Sequence, residues 1–370
     1  MSEVINKIEA SATYQTIVGQ VAEIRRLYKE ETAWEGAERA AQLLAGARRI
    51  FLVGTGTSFH AAQMGQYLLR SVGITEAWAV TAFDFALYPQ PLTAEDVVIL
   101  FSHRGSKLFS RQSLEKVQAV GAGRIVITGQ ASPLVEEAAE TALVLQTTAQ
   151  ERSSTHTASY VTAMTVLIQI VSFLAEKKGQ LDIATRLRLN LKEVPQLIET
   201  AIAQQAKIAT AARQMGGDGV RLFFTGAGPG GITAVEGALK CKEAAYVTAE
   251  GSPLETLLHG PLVSLGLGDH LVMLNTFREG PAAERTAQVA RAVEQIGVKV
   301  WLVGQMPLNL AGTAWVELAA PGGDDICANL GQVVPLQLLS CFLAEVRGTN
   351  PDSFRLEFAD YKAAIGAIKL

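Results

Sequence analysis

Short apolar runs bounded by turn residues recur along the chain in two similar series. The first series includes "IFLVG", "VVILF" and "RIVIT", and the second includes "LFFTG", "HLVML" and "KVWLV". Apolar runs without polar alternation are typical of strands in a parallel sheet that is covered by helices on both faces. The pattern therefore predicts an α/β protein with buried parallel strands.

The two series match each other at successive points, which indicates an internal duplication. The corresponding segments are "RIFLVGTGTSFHAAQ" (49–63) with "RLFFTGAGPGGITAV" (221–235), "DVVILFS" (96–102) with "DHLVMLN" (269–275), "RIVITGQ" (124–130) with "KVWLVGQ" (299–305), and "TALVL" (141–145) with "TAWVEL" (313–318). Each series ends in a similar helical segment, "FLAEKKG" or "FLAEVRG". We therefore expect two doubly wound parallel-sheet domains in tandem.

The remaining segments suggest boundaries for these domains. We expect an N-terminal helical segment over 1–48, a first domain over 49–180, a helical linker over 181–216, a second domain over 217–347 and a tail over 348–370. Ligands of open α/β sheets bind beyond the carboxyl ends of the strands. The loops that follow the predicted strands are therefore the places to search for a site.

The composition and charge of the chain bear on which kind of ligand it binds. The 370-residue chain is 49% hydrophobic and 18% charged, and its formal net charge is −4. Its basic residues form no block that could neutralise a phosphate backbone, which argues against nucleic acid and favours a small-molecule ligand. The three cysteines lie in apolar helical contexts without metal-ligand spacing, as expected in a reducing compartment.

No segment favours a membrane or a secretory route. The start "MSEVINKIEA" has no basic-then-apolar signal pattern. The longest apolar stretch, Val161–Ala175, is too short to cross a bilayer and is interpreted as a core helix. We expect a soluble cytoplasmic protein with no membrane partner.

Two predicted loops carry residues suited to a phosphate. "GTGTS" at 54–58 lacks the third glycine of a dinucleotide fingerprint, but it offers Gly56, Thr57 and Ser58 at a helix N-terminus. The loop "SHRGSK" after the next central strand adds four polar or basic residues: Ser102, Arg104, Ser106 and Lys107. The alternative is that the hydroxyls only cap helices. Their occurrence at the ends of neighbouring strands favours a phosphate site.

A third segment, "VEGALKCKEAAY", places charges among core residues. In a helix, Glu236, Lys240 and Glu243 lie at i, i+4 and i+7 and therefore share one stripe. Such a pair is most often a solvated surface bridge. Here the helix follows a buried strand and a glycine turn and has few positions left for solvent, so we expect a buried acid–base–acid stripe.

These segments together resemble the double SIS (sugar isomerase) domain proteins, and especially the isomerase half of glucosamine-6-phosphate synthase. The marks are "GTGTS", "EGALKCKEAAYVTAE" (236–250), "LLHGPL" (257–262) and "VPLQLL" (334–339). The resemblance implies flavodoxin-like domains and a sugar phosphate held by Thr57, Ser58, Ser102 and His103. Where the family usually has "SQSGET", this chain has "SHRGSK", so that Arg104 and Lys107 also suit a second anionic group.

The resemblance further assigns roles to individual residues. It implies that Glu243 moves the proton, that Lys240 contacts the substrate near its reacting end, and that Glu236 and Glu151 are acids of the site. It implies that His259 assists ring opening and is donated by a partner subunit, and hence a homodimer with shared active sites. The family's Schiff-base lysine would follow the arginine matched by Arg355, and Lys362 is the nearest candidate.

Three functions fit these features. The first is aldose–ketose isomerisation or deamination of an amino-sugar phosphate such as glucosamine 6-phosphate, without glutaminase activity, because no cysteine precedes Cys241. The second is a fructosamine-phosphate deglycase, in which Arg104 and Lys107 meet a carboxylate. The third is a sugar-phosphate sensor without turnover. No metal-ligand cluster or cofactor motif is evident, so we expect no cofactor and full activity after EDTA treatment.

Overall fold

Strands and helices alternate along most of the chain in the computed structural model, which describes residues 8–308, 310 and 313–368. The strands are β1 Ile50–Gly54, β2 Ala77–Thr81, β3 Val97–Phe101, β4 Gly123–Thr128, β5 Leu143–Gln146, β6 Leu222–Gly226, β7 Ala249–Pro253, β8 His270–Asn275, β9 Lys299–Gly304 and β10 Ala314–Glu317. All of them are paired in parallel. The predicted α/β class with parallel sheets is therefore confirmed.

The helices occupy the intervals between the strands and the segments outside them. They are α1 Ala12–Lys29, α2 Glu31–Ala45, α3 Thr57–Ser71, α4 Ala82–Leu87, α5 Leu108–Val120, α6 Leu134–Glu137, α7 Ala158–Lys177, α8 Leu181–Ala203, α9 Gln205–Met215, α10 Pro229–Ala245, α11 Leu254–Leu258, α12 Pro281–Gln295, α13 Asp325–Arg347 and α14 Ala359–Gly366. Short 3₁₀ helices cover Pro261–Ser264 and Pro321–Gly323.

The chain forms two compact units. Unit A comprises Ala22–Glu151, Ala158–Lys192 and Ala359–Leu370, and unit B comprises Met1–Val21, Arg152–Thr157 and Glu193–Phe358. Unit A contains the five-stranded sheet β2-β1-β3-β4-β5, and unit B contains the five-stranded sheet β10-β9-β8-β6-β7. Read from its β7 edge, the second sheet has the same order as the first. This is the doubly wound, flavodoxin-like order, so the predicted tandem of two such sheets is confirmed.

Each sheet packs its two faces against helices. In unit A, one face of β1 contributes Phe51 and Val53 to a cluster with Phe85 of α4 and Val117 of α5. On the other face, a Cβ added to Gly65 of α3 would lie 2.6 Å from side-chain atoms of both Leu52 and Leu167. The sheet is therefore buried on both sides, which is why its central strands lack polar alternation.

Unit B packs its sheet against helices in the same way, and two of its helices lie close together. One face of its sheet packs Phe223 and Leu271 against Val289 and Val293 of α12. Helices α10 and α13 approach so closely that a Cβ at Gly237 would lie 2.5 Å from Leu336 Cδ1. The small residues of α10 thus permit the close packing that buries its charged stripe.

Glycines shape the first turn after β1 and after β6 in the same way. Gly56 and Gly228 precede α3 and α10 with φ/ψ of 57°/−127° and 54°/−129°, a region essentially reserved for glycine. A Cβ at Gly54 would lie 2.4 Å from the backbone carbon of Ser58, and one at Gly226 would lie 2.6 Å from that of Gly230. The duplication seen in the sequence is therefore present in the backbone geometry.

Two helices are long and apolar enough to cross a membrane by composition alone. In Ala158–Lys177, 94% of the most apolar window is buried, and in Asp325–Arg347 the whole window is buried. They are core helices, as the sequence analysis expected of Val161–Ala175. The three cysteines are free and buried.

Two strands, β2 and β7, were not predicted from the sequence. The sheet order places both at an edge, where a strand pairs on one side only. Trp78 in β2 is about half exposed, and β7 has the sequence "AEGSP", in which Glu250 and Pro253 are exposed. Neither strand needs the continuous apolar run that marks a central strand, so periodicity gave no signal.

Candidate active site

A small cavity lies at the carboxyl ends of β1 and β3 in unit A. Seven of its lining residues carry polar groups: Thr57, Ser58, Ser102, His103, Thr147, Ser159 and Tyr160. Thr57 and Ser58 open helix α3, Ser102 and His103 follow β3, and Ser159 and Tyr160 lie in the first turn of α7. Several hydroxyls and a helix N-terminus thus surround one space, an arrangement suited to an anion such as phosphate.

One hydroxyl of this cavity, that of Ser159, is unsatisfied. Ser159 is buried, and its Oγ has no hydrogen-bond partner among the described residues. A buried hydroxyl without a hydrogen-bond partner costs free energy. A phosphate oxygen that accepted a hydrogen bond from this hydroxyl would remove that cost. Neither Ser159 nor Tyr160 was predicted from the sequence. The feature that could have indicated them is the hydroxyl-rich run "SSTHTASY" (153–160) at the start of the core helix.

His103 is neutral in this environment. Burial lowers its pKa, and the nearby Arg104 lowers it further, whereas Glu151 acts in the opposite direction. Its Nε2 accepts a hydrogen bond from the Glu151 amide at 3.3 Å. The neutral ring therefore carries its proton on Nδ1 and can act as a donor from that atom.

Glu151, predicted as an acid of the site, is placed as a helix cap. Its carboxylate accepts hydrogen bonds from the backbone amides of Ser159 at 2.7 Å and Ala158 at 3.3 Å. A carboxylate at a helix N-terminus satisfies amides that have no partner within the helix. Through its amide and its carboxylate, Glu151 fixes both His103 and the first turn of α7, which line the cavity.

The remaining predicted residues of the "SHRGSK" loop are exposed. Arg104, Ser106 and Lys107 lie between β3 and α5 and reach solvent. Burial of part of the Lys107 side chain lowers its pKa, and the charge of Arg104 lowers it further. Two cations are therefore close together at the surface beside the cavity.

Helix α10 of unit B carries the predicted acid–base–acid stripe. Glu236 and Lys240 are fully buried, and the Glu243 side chain is 19% exposed. Lys240 Nζ lies 2.5 Å from Glu243 Oε2 and 3.5 Å from Glu236 Oε1. One cation is thus shared by two carboxylates, and the cluster has a formal net charge of −1. Lys242 is exposed on the other side of the helix.

The structure does not bring His259 to this cluster. His259 is the C-terminal capping residue of α11, its side chain is 79% exposed, and its Nε2 lies 3.7 Å from Glu255 Oε2. The loop that follows exposes two large apolar residues, Val263 and Leu267, almost completely. Lys362 lies exposed on α14. The His259 side chain therefore faces solvent, with Glu255 as its ionic neighbour.

Residues 43–173 match the SIS domain family. The matched residues make up less than half of the chain. The matched range contains the whole sheet of unit A, most of α7 and all the residues that line the hydroxyl-rich cavity.

Curated relatives extend the similarity beyond the SIS domain. Glutamine–fructose-6-phosphate aminotransferase of Aeropyrum pernix is 30% identical over 328 residues, which cover 86% of this chain and 52% of the relative. The enzyme of the same name from Methanothermobacter thermautotrophicus is 29% identical over 325 residues, which cover 87% and 52%. The chain thus spans about half the length of the curated relatives it matches.

Solved structures show the same fold over nearly the full chain. The C-terminal domain of glucosamine-fructose-6-phosphate aminotransferase from Francisella tularensis superposes with a TM-score of 0.82 at 22% identity, covering 93% of this chain and 98% of that one. A tagatose-6-phosphate ketose/aldose isomerase from Escherichia coli gives a TM-score of 0.76 at 18% identity, covering 93% and 96%. At these identities the likeness establishes the fold.

Proposed function

We propose that the protein is a phosphosugar isomerase or deaminase acting on an amino-sugar phosphate such as glucosamine 6-phosphate. The observation that carries this proposal is the buried Glu236–Lys240–Glu243 cluster, because an ion cluster in a core is costly unless it has a use. The hydroxyl-lined cavity of the SIS domain and the similarity to aminotransferases that act on fructose 6-phosphate support it. The matching sheet order supports unit B as a second SIS domain.

The proposed chemistry assigns one task to each group. Thr57, Ser58 and Ser102 donate hydrogen bonds to the phosphate. Glu243 takes a proton from the sugar carbon next to the carbonyl or imine and returns it to the neighbouring carbon. Lys240 holds the Glu243 carboxylate in place, since its ammonium lies at hydrogen-bond distance from it.

The reaction proposed here does not use glutamine. Release of ammonia from glutamine by thiol catalysis needs an accessible thiolate. Cys241, Cys327 and Cys341 are buried, and burial raises the pKa of each thiol. These three thiols are unsuited to that role, and the proposal assigns no glutamine hydrolysis to them.

Replacement of Glu243 by Gln tests the proposal. Glu243→Gln keeps the size of the side chain but removes its basicity, so turnover should fall about 10²–10⁴-fold while phosphosugar affinity is retained. Solvent deuterium incorporation at the sugar carbon should fall equally, and ammonia release from glucosamine 6-phosphate separates deaminase from isomerase. Glu294→Gln, on the exposed face of α12, is the matched control. Parent exchange rates in Glu243→Gln would mean that another group is the base.

A second candidate function, fructosamine-phosphate deglycase, is favoured by the adjacent cations Arg104 and Lys107. Their charges would bind the carboxylate of an amino acid attached to the sugar. In that case Arg104→Ala should raise KM for fructosamine phosphates and leave KM for glucosamine 6-phosphate unchanged. Equal effects on both substrates would assign the two cations to the phosphate instead. Binding of phosphosugars without any turnover would indicate a sensor.

We also propose a homodimer in which His259 serves the active site of the partner subunit. An exposed histidine followed by the exposed Val263 and Leu267 supports this assembly, because exposed apolar residues commonly mark interfaces.

Covalent imine formation by Lys362 is a separate proposal, and trapping with borohydride tests it. The parent should gain the mass of the reduced adduct, and Lys362→Arg should not.

A further inference from the structure

The tail after α13 is fastened to the end of helix α10 within unit B. Tyr246 directly follows α10, and its Oη donates a hydrogen bond to the Asn350 carbonyl at 3.1 Å and accepts one from the Arg355 amide at 3.0 Å. The guanidinium carbon of Arg355 lies 4.2 Å from the centroid of the Tyr246 ring. In addition, Thr349 Oγ1 donates to the Ala244 carbonyl at 2.8 Å.

The backbone at this junction is in an unusual conformation. Among the described residues, the non-glycine residues with positive φ are Tyr246 (55°), Phe354 (53°) and Arg355 (60°). Left-handed backbone costs a residue with a side chain roughly 1 kcal/mol, so it persists only where the surroundings hold it. All three such residues belong to this one contact, which is therefore held by the interactions of Tyr246 and Arg355.

The junction lies one turn beyond the proposed base. The last carbonyls of a helix lack partners within the helix, and the last turn frays unless other groups bind them. Here the Lys242 carbonyl accepts from the Tyr246 amide at 3.2 Å, and the Ala244 carbonyl accepts from Thr349. The turn that carries Glu243 is thus bounded by the Tyr246 amide and by a hydroxyl of the tail, Thr349 Oγ1.

We propose that Tyr246 and Arg355 are positioning residues for Glu243, and we refer to their contact as the tail clamp. The clamp fixes residues 349–355 on the last turn of α10, and this holds the Glu243 carboxylate at its place beside Lys240. Proton transfer is sensitive to the position of the base, because a misplacement of about 1 Å can cost about 10²-fold in rate. This inference rests on the proposed function of Glu243.

Conservative variants test the clamp. Tyr246→Phe keeps the ring under Arg355 but removes both hydrogen bonds, and Arg355→Lys keeps the charge but loses the planar contact. Tyr246→Phe should lower kcat about tenfold and leave KM within about twofold, since the clamp acts on the base and not on the phosphate. Arg355→Lys retains the Tyr246 hydrogen bonds, so its kcat should fall by a smaller factor than that of Tyr246→Phe. Tyr67→Phe, on the exposed face of α3, is the matched control.

Hydrogen exchange provides a readout that does not depend on activity. Amides of the last turn of α10 should exchange at least about tenfold faster in Tyr246→Phe than in the parent, because local opening no longer breaks the clamp. Parent exchange and parent kcat in Tyr246→Phe would overturn the inference. Glu243→Gln is run in parallel: if it is fully active, the proposed function fails, whereas an inactive Glu243→Gln beside a fully active Tyr246→Phe rejects the clamp alone.

Discussion

Arg49 and Asp96 form a two-point ion pair at the amino ends of β1 and β3, with Nε–Oδ1 3.0 Å and Nη2–Oδ2 2.8 Å. Arg221 and Asp269 repeat it at the amino ends of β6 and β8, with corresponding distances of 2.9 Å and 2.5 Å. Each aspartate also accepts from an amide three residues earlier. The duplication therefore extends to a side-chain pair that ties two central strands together, at the end of each sheet opposite to the carboxyl ends of its strands.

Loss of the first pair should destabilise the fold. The Asp96 side chain is fully buried and that of Arg49 is 14% exposed, so Asp96→Asn leaves a buried cation without its counter-charge. We expect the free energy of unfolding at pH 7 to fall by about 3 kcal/mol. Glu95→Gln, at an exposed neighbour, should change it by less than about 0.5 kcal/mol. Asp269→Asn should cost less, since Arg221 is 43% exposed.

The phosphate cavity predicts a selective loss of affinity. Ser58→Ala and Ser102→Ala should each weaken binding of a sugar 6-phosphate about tenfold and leave the weak binding of the unphosphorylated sugar unchanged. Isothermal titration calorimetry measures both. Ser71→Ala, at the exposed end of the same helix as Ser58, serves as control. Equal affinity of the parent for both sugars would remove the phosphate site.

His103 predicts a stability loss in mild acid. Because burial lowers its folded pKa below the ordinary value of about 6.5, the unfolded chain binds a proton first as the pH falls. Stability is full above about pH 6.5 and falls between that value and the lower folded pKa, with a slope of up to about 1.4 kcal/mol per pH unit. Denaturant titrations of the parent and of His103→Gln should show this slope reduced in the variant. His270, whose pKa burial also lowers, should retain its own contribution.

Shared active sites predict complementation between inactive variants. If His259 serves the partner subunit, a mixed dimer of Glu243→Gln and His259→Ala contains one site with both parent residues. After subunit exchange in equal amounts, about a quarter of the parent activity should return, as expected for a shared site in a C2 dimer. Exchange is verified by native mass spectrometry of differently tagged chains. No recovery in verified mixed dimers would place His259 in the site of its own chain or outside any site.

The local pattern of the chain determined the parts of the molecule that depend on local geometry. The central strands are continuous apolar runs because both faces of each sheet are covered, and the glycine turns after β1 and β6 require residues without a Cβ. The stripe of Glu236, Lys240 and Glu243 follows from helical periodicity alone. These features were therefore predictable from the residues themselves.

Tertiary structure decided what depends on distant neighbours. The edge strands β2 and β7 form by pairing with β1 and β6, without an apolar pattern of their own. Glu151 caps α7 because the fold places its carboxylate over that helix, and Tyr246 meets Arg355 although 109 positions separate them in the chain. Such contacts carry no periodic signal, since their partners are brought together by the packing of whole elements and not by local backbone geometry.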